Sequence, residues 1–184
     1  MFYSTVGKYT VSITTDPEEI AHKLARSNVV VHKHIESDRN RDDQAYIAIG
    51  VTDCGHAADL LFEGWYFPGP LSGFHPGVLI IPETATVFIG IGEDAYTYSM
   101  APIDLIAKES AEAGFWYWSR YGNTVLMCAE LELSAWSLDG KRKWTRFVEP
   151  PWHYSIESDV ISLDIMGDAV LLSLETGENV KIDE

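Results

Sequence analysis

The chain has 184 residues, of which 46% are hydrophobic and 22% charged, and this composition favours a single soluble globular domain spanning residues 1–184. Its 13 lysines and arginines against 28 aspartates and glutamates give a net charge of −15, which disfavours nucleic acid as a partner because the phosphates would be repelled. No apolar run approaches the roughly 20 residues of a membrane span, so we expect no membrane association.

The cysteine content and the start of the chain predict a cytoplasmic protein. The first residues lack the basic and apolar regions of a signal peptide. Two cysteines are too few for a disulfide framework, and reduced thiols are typical of the cytoplasm. Cys128 lies in an apolar run, which predicts a buried thiol, whereas Cys54 stands beside Gly55 in a predicted turn. A single bridge between the two cysteines stays open at this point.

One segment near the start is typical of a helix. Asp16 can cap it, Pro17 suits the first turn, and Glu18 and Glu19 meet the positive end of the helix dipole. These signals predict a helix over about residues 16–27. A shorter second helix is predicted further along, over about residues 102–112, where apolar residues recur at helical spacing.

The remaining chain is dominated by runs of β-branched and aromatic residues separated by turn residues, which predicts strands. In the last part of the chain, the pairs Asp139-Gly140, Gly167-Asp168 and Thr176-Gly177 supply residues that tolerate positive φ in tight hairpins. The sequence therefore predicts a mainly β fold, with antiparallel sheets that form a sandwich or a partly open barrel.

A weak internal repeat occurs in this later region. Residues 137–140 and 173–177 both place Ser-Leu and an acidic residue before a glycine turn, and residues 135–144 resemble one hairpin of a quinoprotein-type β-propeller. A propeller needs at least four blades of about 40 residues. Because the first 100 residues show no such period, we predict neither a propeller nor a quinone cofactor.

The histidines supply a candidate metal site. In a strand, His32, His34 and Glu36 would share one face, and imidazole and carboxylate groups are suitable ligands for a divalent metal. The pair His32 and His34, with His75 later in the chain, is similar to the cupin metal site. That resemblance implies a metal held by His32, His34 and His75, with Glu36 as a ligand or base. The other interpretation is a polar sheet edge without any cofactor.

Aromatic residues are the most unusual feature of the sequence, at 12% of the chain. A strand through residues 115–118 would place large rings on both faces, so it is either covered on both sides or uses one face for binding. We expect at least one of the chain's aromatic rings to be exposed. The candidates for binding a ligand or partner are Trp116, Trp118, Trp144, Trp152 and Tyr154.

Basic residues are concentrated in one short run, residues 141–146. With Trp144 among them, these side chains could stack on and pair with nucleic acid, but the acidic surroundings disfavour that function. Two interpretations remain, a hairpin with solvated charges and an internal partner for one of the acidic stretches.

Two functions are consistent with these features. The first is a non-enzymatic binding protein that presents an aromatic-rich β surface in an acidic field to a basic protein or a small ligand. Bacterial immunity proteins, which inhibit basic toxins, are similar in charge and size. The second is a metal-dependent enzyme on a small, cupin-like β-barrel. Free sheet edges would also permit a homodimer.

Overall fold

The computed structural model describes residues 1–24, 30–35, 44–53, 59–68 and 75–180, with only the main chain given for residues 21–24 and 31–35. Within these ranges the protein has one helix, α1 (Pro17–Leu24), and sixteen strands. The strands are β1 (Phe2–Val6), β2 (Tyr9–Thr14), β3 (Val30–Ile35), β4 (Ala45–Asp53), β5 (Leu60–Tyr66), β6 (Gly77–Ile81), β7 (Thr86–Ile91), β8 (Asp94–Met100), β9 (Ile103–Ser110), β10 (Phe115–Tyr121), β11 (Thr124–Ala129), β12 (Glu132–Ser137), β13 (Arg142–Phe147), β14 (Trp152–Glu157), β15 (Val160–Ile165) and β16 (Asp168–Ser173).

These strands form four sheets. Sheet A has the order β1-β2-β4-β5-β3, sheet B is β6-β7-β8-β9, sheet C is β10-β11-β12-β13, and sheet D is β14-β15-β16. Every pairing is antiparallel except that of β3 with β5, which is parallel. The prediction of a mainly β fold built from antiparallel sheets is therefore confirmed. The described strands stack as layers and do not close into a barrel.

The sheets are stacked in chain order, and an apolar cluster fills each interface. Ile49 and Phe62 of sheet A meet Ile89 of sheet B in the first cluster. The second cluster joins sheets B and C, and the third joins sheets C and D around Leu133 and Leu163. Each large apolar side chain buried in this way contributes about 1.5–3 kcal/mol to folding. The stacking therefore produces one continuous series of cores.

Sheets B, C and D repeat the same construction. Their first strands begin at Gly77, Phe115 and Trp152, spacings of 38 and 37 residues. The central hairpins match in length, with Thr86 opposite Ser99, Thr124 opposite Ser137 and Val160 opposite Ser173. The first 100 residues contain only the start of the first unit, at Gly77, so they hold no complete period, as expected. Three blade-like meanders are present among the described residues, and sheet A is connected differently.

The repeat is marked by a serine that closes a turn at the same place in each sheet. The hydroxyl of Ser99 accepts a hydrogen bond from the backbone N–H of Ala101, at 3.2 Å. Ser137 accepts one from the N–H of Lys141 at 3.2 Å, and Ser173 one from Thr176 at 3.3 Å. The two Ser-Leu segments recognised in the sequence are thus equivalent positions of one repeated unit.

The predicted hairpin turns are observed, with one shift in position. Gly140 and Gly177 have φ values of +87° and +69°, as expected for glycines that close tight turns. In the hairpin predicted to turn at Gly167-Asp168, Ile165 pairs with Asp168, so the turn residues are Met166 and Gly167. Met166 itself adopts a φ of +55°.

Helix α1 begins as predicted. The Asp16 carboxylate accepts a hydrogen bond from the backbone N–H of Glu18 at 2.9 Å, which is the expected N-cap. Ile20 packs against Ala48 and Leu61 of sheet A. The predicted end of the helix, beyond residue 24, lies outside the described residues.

The predicted second helix is wrong. Residues 103–110 form β9, which pairs along the whole of β8. Ile103 and Ala107 fit a helical face as well as a strand face, and the segment pairs with the edge of β8 instead of forming a helix. The strand is followed by Ala113 and Gly114, both with positive φ, which turn the chain into sheet C.

Sheets B and C approach each other most closely where an aromatic ring rests on glycines. Gly77 and Gly90 are paired across β6 and β7. The fully buried ring of Phe115 lies so near that a Cβ atom built on Gly90 would come within 2.3 Å of it, and one on Gly77 within 2.7 Å. These glycines therefore set the spacing between the two sheets.

Two further expectations can be compared with the structure. Cys128 is buried and free, as predicted from its apolar run, while Cys54 lies outside the described residues. None of the helices in the ranges described above has the length and apolar character needed to span a bilayer.

Candidate partner-binding site

Three of the five predicted binding residues lie together between sheets C and D. The indoles of Trp116 and Trp152 are stacked, with centroids 5.2 Å apart and an interplanar angle of 16°. Trp152 is only 7% exposed, and its Nε1 donates to the Glu130 carbonyl at 3.1 Å. Tyr154 continues the stack at 6.3 Å from Trp152. These rings therefore join the two sheets to each other.

Of the other two predicted residues, Trp144 lies at the same interface between sheets C and D but outside the stack, and Trp118 lies between sheets B and C. Trp118 faces sheet B, with its ring centroid 5.2 Å from that of Phe88. Trp144, on β13, donates from Nε1 to the Leu174 carbonyl at 3.0 Å and packs over Gly177. The five residues thus divide between two interfaces, and they do not form one surface. All are buried or half-buried.

A group of hydroxyls and one thiol lies beside the Trp116–Trp152 stack. The Tyr154 hydroxyl is 3.0 Å from Ser119 Oγ and accepts from Cys128 Sγ at 3.8 Å. Burial raises the pKa of Cys128 to about 11 and that of Tyr117 to about 12, and burial also raises the pKa of Tyr154. Because a nucleophilic cysteine needs a lowered pKa, this thiol is a neutral hydrogen-bonding group.

The raised thiol pKa predicts a loss of stability at alkaline pH. The unfolded thiol ionises near 9.0 and the buried thiol near 11, so the native state holds its proton longer. The contribution of this thiol to the free energy of unfolding is fully present below pH 9. It falls as pH rises toward 11, by on the order of 2–3 kcal/mol. Urea unfolding between pH 8 and 11.5 measures this slope. The Cys128→Ala variant should show a shallower decline, and equal slopes in the two proteins would contradict the assignment.

The exposed aromatic rings are different from those predicted as binding residues. The expectation that at least one ring is exposed is confirmed, but by residues outside the candidate set. Exposed rings in the described part of the chain are those of Phe2, Tyr3, Trp65, Tyr117 and Phe147. Phe147, the last residue of the edge strand β13, is 63% exposed.

The predicted metal ligands are described only in part. His32 and His34 lie on β3, opposite Phe62 and Gly64 of β5, and only their main chain is described. Glu36 lies outside the described residues, and His75 is exposed at the approach to β6. Among the described side chains, no group of three potential ligands is close enough to hold a metal ion. Metal binding by these histidines stays a prediction.

The basic run acts as an internal partner for acidic residues. Arg142 pairs with Glu109 of sheet B at 2.8 Å, and Lys143 pairs with Glu175, beyond β16, at 2.5 Å. Arg146 donates to Asn179 Oδ1 at 3.1 Å. The second interpretation of residues 141–146 is therefore the correct one, because these side chains join sheet C to both neighbours.

A cleft of about 270 Å³ lies between sheets B and C, and we call it the Glu132 cleft. It is lined by three carboxylates, one guanidinium, two hydroxyls and one aromatic ring. These belong to Glu109, Ser110, Glu112, Glu132, Arg142, Thr145 and Phe147. With three formal negative charges and one positive charge, the lining is acidic, and the exposed Phe147 ring is its apolar part.

Glu132 is the least usual residue of this cleft. It stands on β12 within a run of buried residues and is only 6% exposed. Its side chain receives one hydrogen bond from the described residues, from Thr145 Oγ1 at 2.9 Å, and none of the described cations is within ion-pair distance of it. Since a buried carboxylate is costly without a cation or several donors, the cleft favours a positively charged group.

Sequence reasoning missed both Glu132 and Phe147. One signal was present, because Glu132 interrupts a strand whose neighbours are apolar or small. The position of Phe147 opposite Glu132 follows from the pairing of β12 with β13. The acidic wall supplied by β9 could not be anticipated, since that segment was predicted as a helix.

A second cleft, of about 500 Å³, lies between β1 and α1, but its carboxylates already have partners. Glu19 accepts from Thr14 Oγ1 and lies 3.5 Å from the terminal ammonium of Met1. Asp16 caps the helix. The Glu132 cleft is therefore the stronger candidate for binding a cationic group.

Comparison with known proteins gives no family for this chain. No protein-family model matches it, and no curated protein sequence matches it. Of the solved structures with detectable similarity, BamB from Moraxella catarrhalis is 13% identical over 76% of this chain and 45% of its own, with a TM-score of 0.43. Saccharomyces cerevisiae Sqt1 is 11% identical over 76% and 42%, with a TM-score of 0.42.

Hsv2 of Kluyveromyces lactis is more distant. It is 7% identical, aligns over 59% of this chain and 36% of its own, and has a TM-score of 0.34. The chain thus spans less than half the length of each of these structures. At this level of similarity the alignments assign neither a family nor a partner to the chain.

Proposed function

We propose that this protein is a non-enzymatic binding protein whose partner is a basic protein, and that the Glu132 cleft receives a cationic side chain of that partner. The observation that carries the proposal is the nearly buried carboxylate of Glu132, which has no cation beside it among the described residues. A positive group supplied from outside would stabilise this carboxylate in the bound state.

The distribution of ion pairs supports a basic partner. Seven cationic side chains are described, and six of them form ion pairs with carboxylates of the same chain. The pairs are Lys8–Asp53, Lys108–Asp94, Arg120–Glu83, Lys141–Asp139, Arg142–Glu109 and Lys143–Glu175. The cations are thus largely neutralised within the fold, and the excess of carboxylates faces outward. Such a field accelerates association with a positively charged surface.

The hydroxyls and the thiol that lie between sheets C and D are uncharged at neutral pH, and this also supports binding rather than catalysis. Burial raises the pKa of Cys128 and Tyr117, so both side chains are protonated at neutral pH. They serve as hydrogen-bonding groups that hold two sheets together. The proposal therefore places recognition at the cleft and leaves the aromatic stack a structural role.

The proposal predicts that Glu132→Gln weakens binding to cationic peptides. A ten-residue peptide of alternating lysine or arginine and glycine is the probe, and the same peptide with glutamate in place of the cations is the reference. We expect the cationic peptide to bind, with an affinity that falls as salt concentration rises. Glu132→Gln keeps an acceptor for Thr145 while removing the charge, and should weaken binding about tenfold, measured by isothermal titration calorimetry.

Glu157→Gln is the matched control, because it removes the same charge from an exposed strand position on sheet D. This variant should bind the cationic peptide with nearly the parental affinity. Equal weakening by both variants would show that only the overall charge acts, which would overturn the cleft as the site. Equal binding of the cationic and acidic peptides by the parent protein would overturn the proposed function.

A further inference from the structure

We infer that the group received by the Glu132 cleft is an arginine side chain rather than a lysine. This inference rests on the proposed function and names the chemistry of the partner's contact. It depends on the carboxylates, the guanidinium and the aromatic ring that line the cleft.

The chain itself shows that a guanidinium fits this cleft. Arg142 extends from β13 into the lining and reaches a Glu109 oxygen on β9 at 2.8 Å. This contact spans the gap between sheets B and C. It leaves Glu112 and Glu132 on the remaining wall without a described cation. A second guanidinium would make the same type of charge-assisted contact with these carboxylates.

The exposed ring of Phe147 favours arginine over lysine. Phe147 lies opposite Glu132 across the β12–β13 pair, so its ring and the carboxylate flank the same entrance. A guanidinium is planar, weakly hydrated and able to stack on an aromatic face while its N–H groups reach a carboxylate. A lysine ammonium is a compact and strongly hydrated charge that has no planar face to stack on the ring.

An unpartnered hydroxyl lies on the strand that carries Glu132. Ser134 shares the face of Glu132 on β12, and it is paired across the strands with Thr145, which lines the cleft. Its Oγ is fully buried and has no hydrogen-bond partner within the described residues. Buried hydroxyls are normally hydrogen-bonded, so the Glu132 face of β12 carries an unmet polar group next to the residues that line the cleft. Arginine carries five N–H donors, so it can reach Glu132 and a second acceptor of the lining at once.

The test compares two peptides that differ only in the cation. Both alternate the cation with glycine over ten residues, one with arginine and one with lysine, and calorimetry measures their affinity for the full chain. We expect the arginine peptide to bind about fivefold more tightly. Phe147→Ala should abolish this preference, whereas Phe147→Tyr, which keeps the ring, should retain it. Because Phe147 is mostly exposed, neither variant should unfold the protein.

The possible outcomes separate the inference from the proposed function. Equal affinity for the two peptides, with binding that still depends on Glu132, would overturn the arginine preference and leave the proposed function in place. An arginine preference that survives Phe147→Ala would also overturn the inference. Loss of all dependence on Glu132 would overturn the proposed function itself.

Discussion

Gly90→Ala is expected to destabilise the protein by about 3 kcal/mol. The added Cβ would lie 2.3–2.5 Å from three atoms of the Phe115 ring, well inside normal contact distance. The ring cannot move away because it is fully buried between sheets B and C. Overpacking a rigid core costs about 1–3 kcal/mol, and this site lies at the upper end. Urea unfolding of the variant and the parent measures the difference.

Two further variants identify the cause of this loss. Phe115→Leu should itself destabilise the protein, but the double variant with Gly90→Ala should be more stable than the sum of the two single effects predicts. Gly122→Asn is the control, because Gly122 has a φ of +55° and nothing within 4 Å of its added Cβ. Asparagine tolerates this conformation, so its effect should be small. Strict additivity of the two core changes would contradict the proposed contact.

Trp152→Ala should cost about 3–5 kcal/mol, the range for removing a large buried aromatic side chain. The substitution removes the partner of Trp116 in the stack and leaves the Glu130 carbonyl without its indole donor. Both losses fall on the interface between sheets C and D. Thermal and urea unfolding measure the stability, and the near-ultraviolet circular dichroism signal of the stacked indoles should disappear.

Trp65→Ala is the matched control for this prediction. Trp65 is 43% exposed and contacts Tyr46 at a centroid distance of 5.4 Å. Its removal should cost about 1 kcal/mol and leave the signal of the Trp116–Trp152 pair intact. Similar losses for the two tryptophans would contradict the difference in burial on which the prediction depends.

Local chemistry in the sequence was sufficient to predict much of the fold. The β-branched runs and glycine turns of the last third correspond to the strands and hairpins of sheets C and D. The capping role of Asp16 was also predictable, since it depends on residues within one helical turn. These features share a cause, because each is determined by neighbours in the chain and not by distant segments.

Contacts between sheets could not be predicted in the same way. Strand alternation places Trp116 and Trp118 on one face, yet the register shift between Phe115 and Tyr117 directs them to opposite interfaces. A β-bulge of this kind leaves no clear mark in the sequence. The Glu132 cleft depends on the same kind of information, because Glu109 and Glu132 meet only when sheets B and C are stacked.

The segment of β9 illustrates the limit of periodicity. Ile103 and Ala107 suit both a helix and a strand, so the pattern alone could not decide between them. The outcome is the pairing of this segment with the edge of β8, which is a property of the assembled sheet. The repeat that begins at residue 77 was similarly hidden, since its recurring serine is a single small residue among varied neighbours.

The contiguous construction of sheets B, C and D has a consequence for the kinetics of folding. Each is made from one uninterrupted stretch of chain, so its strands meet by closing short loops, which has a small entropic cost. Sheet A differs, since β3 pairs in parallel with β5, with Val30 opposite Leu60, and β4 lies between them in the chain. Pairing of sequence-distant segments slows folding. The rate-limiting event is therefore expected in the completion of sheet A, after the three meanders have collapsed.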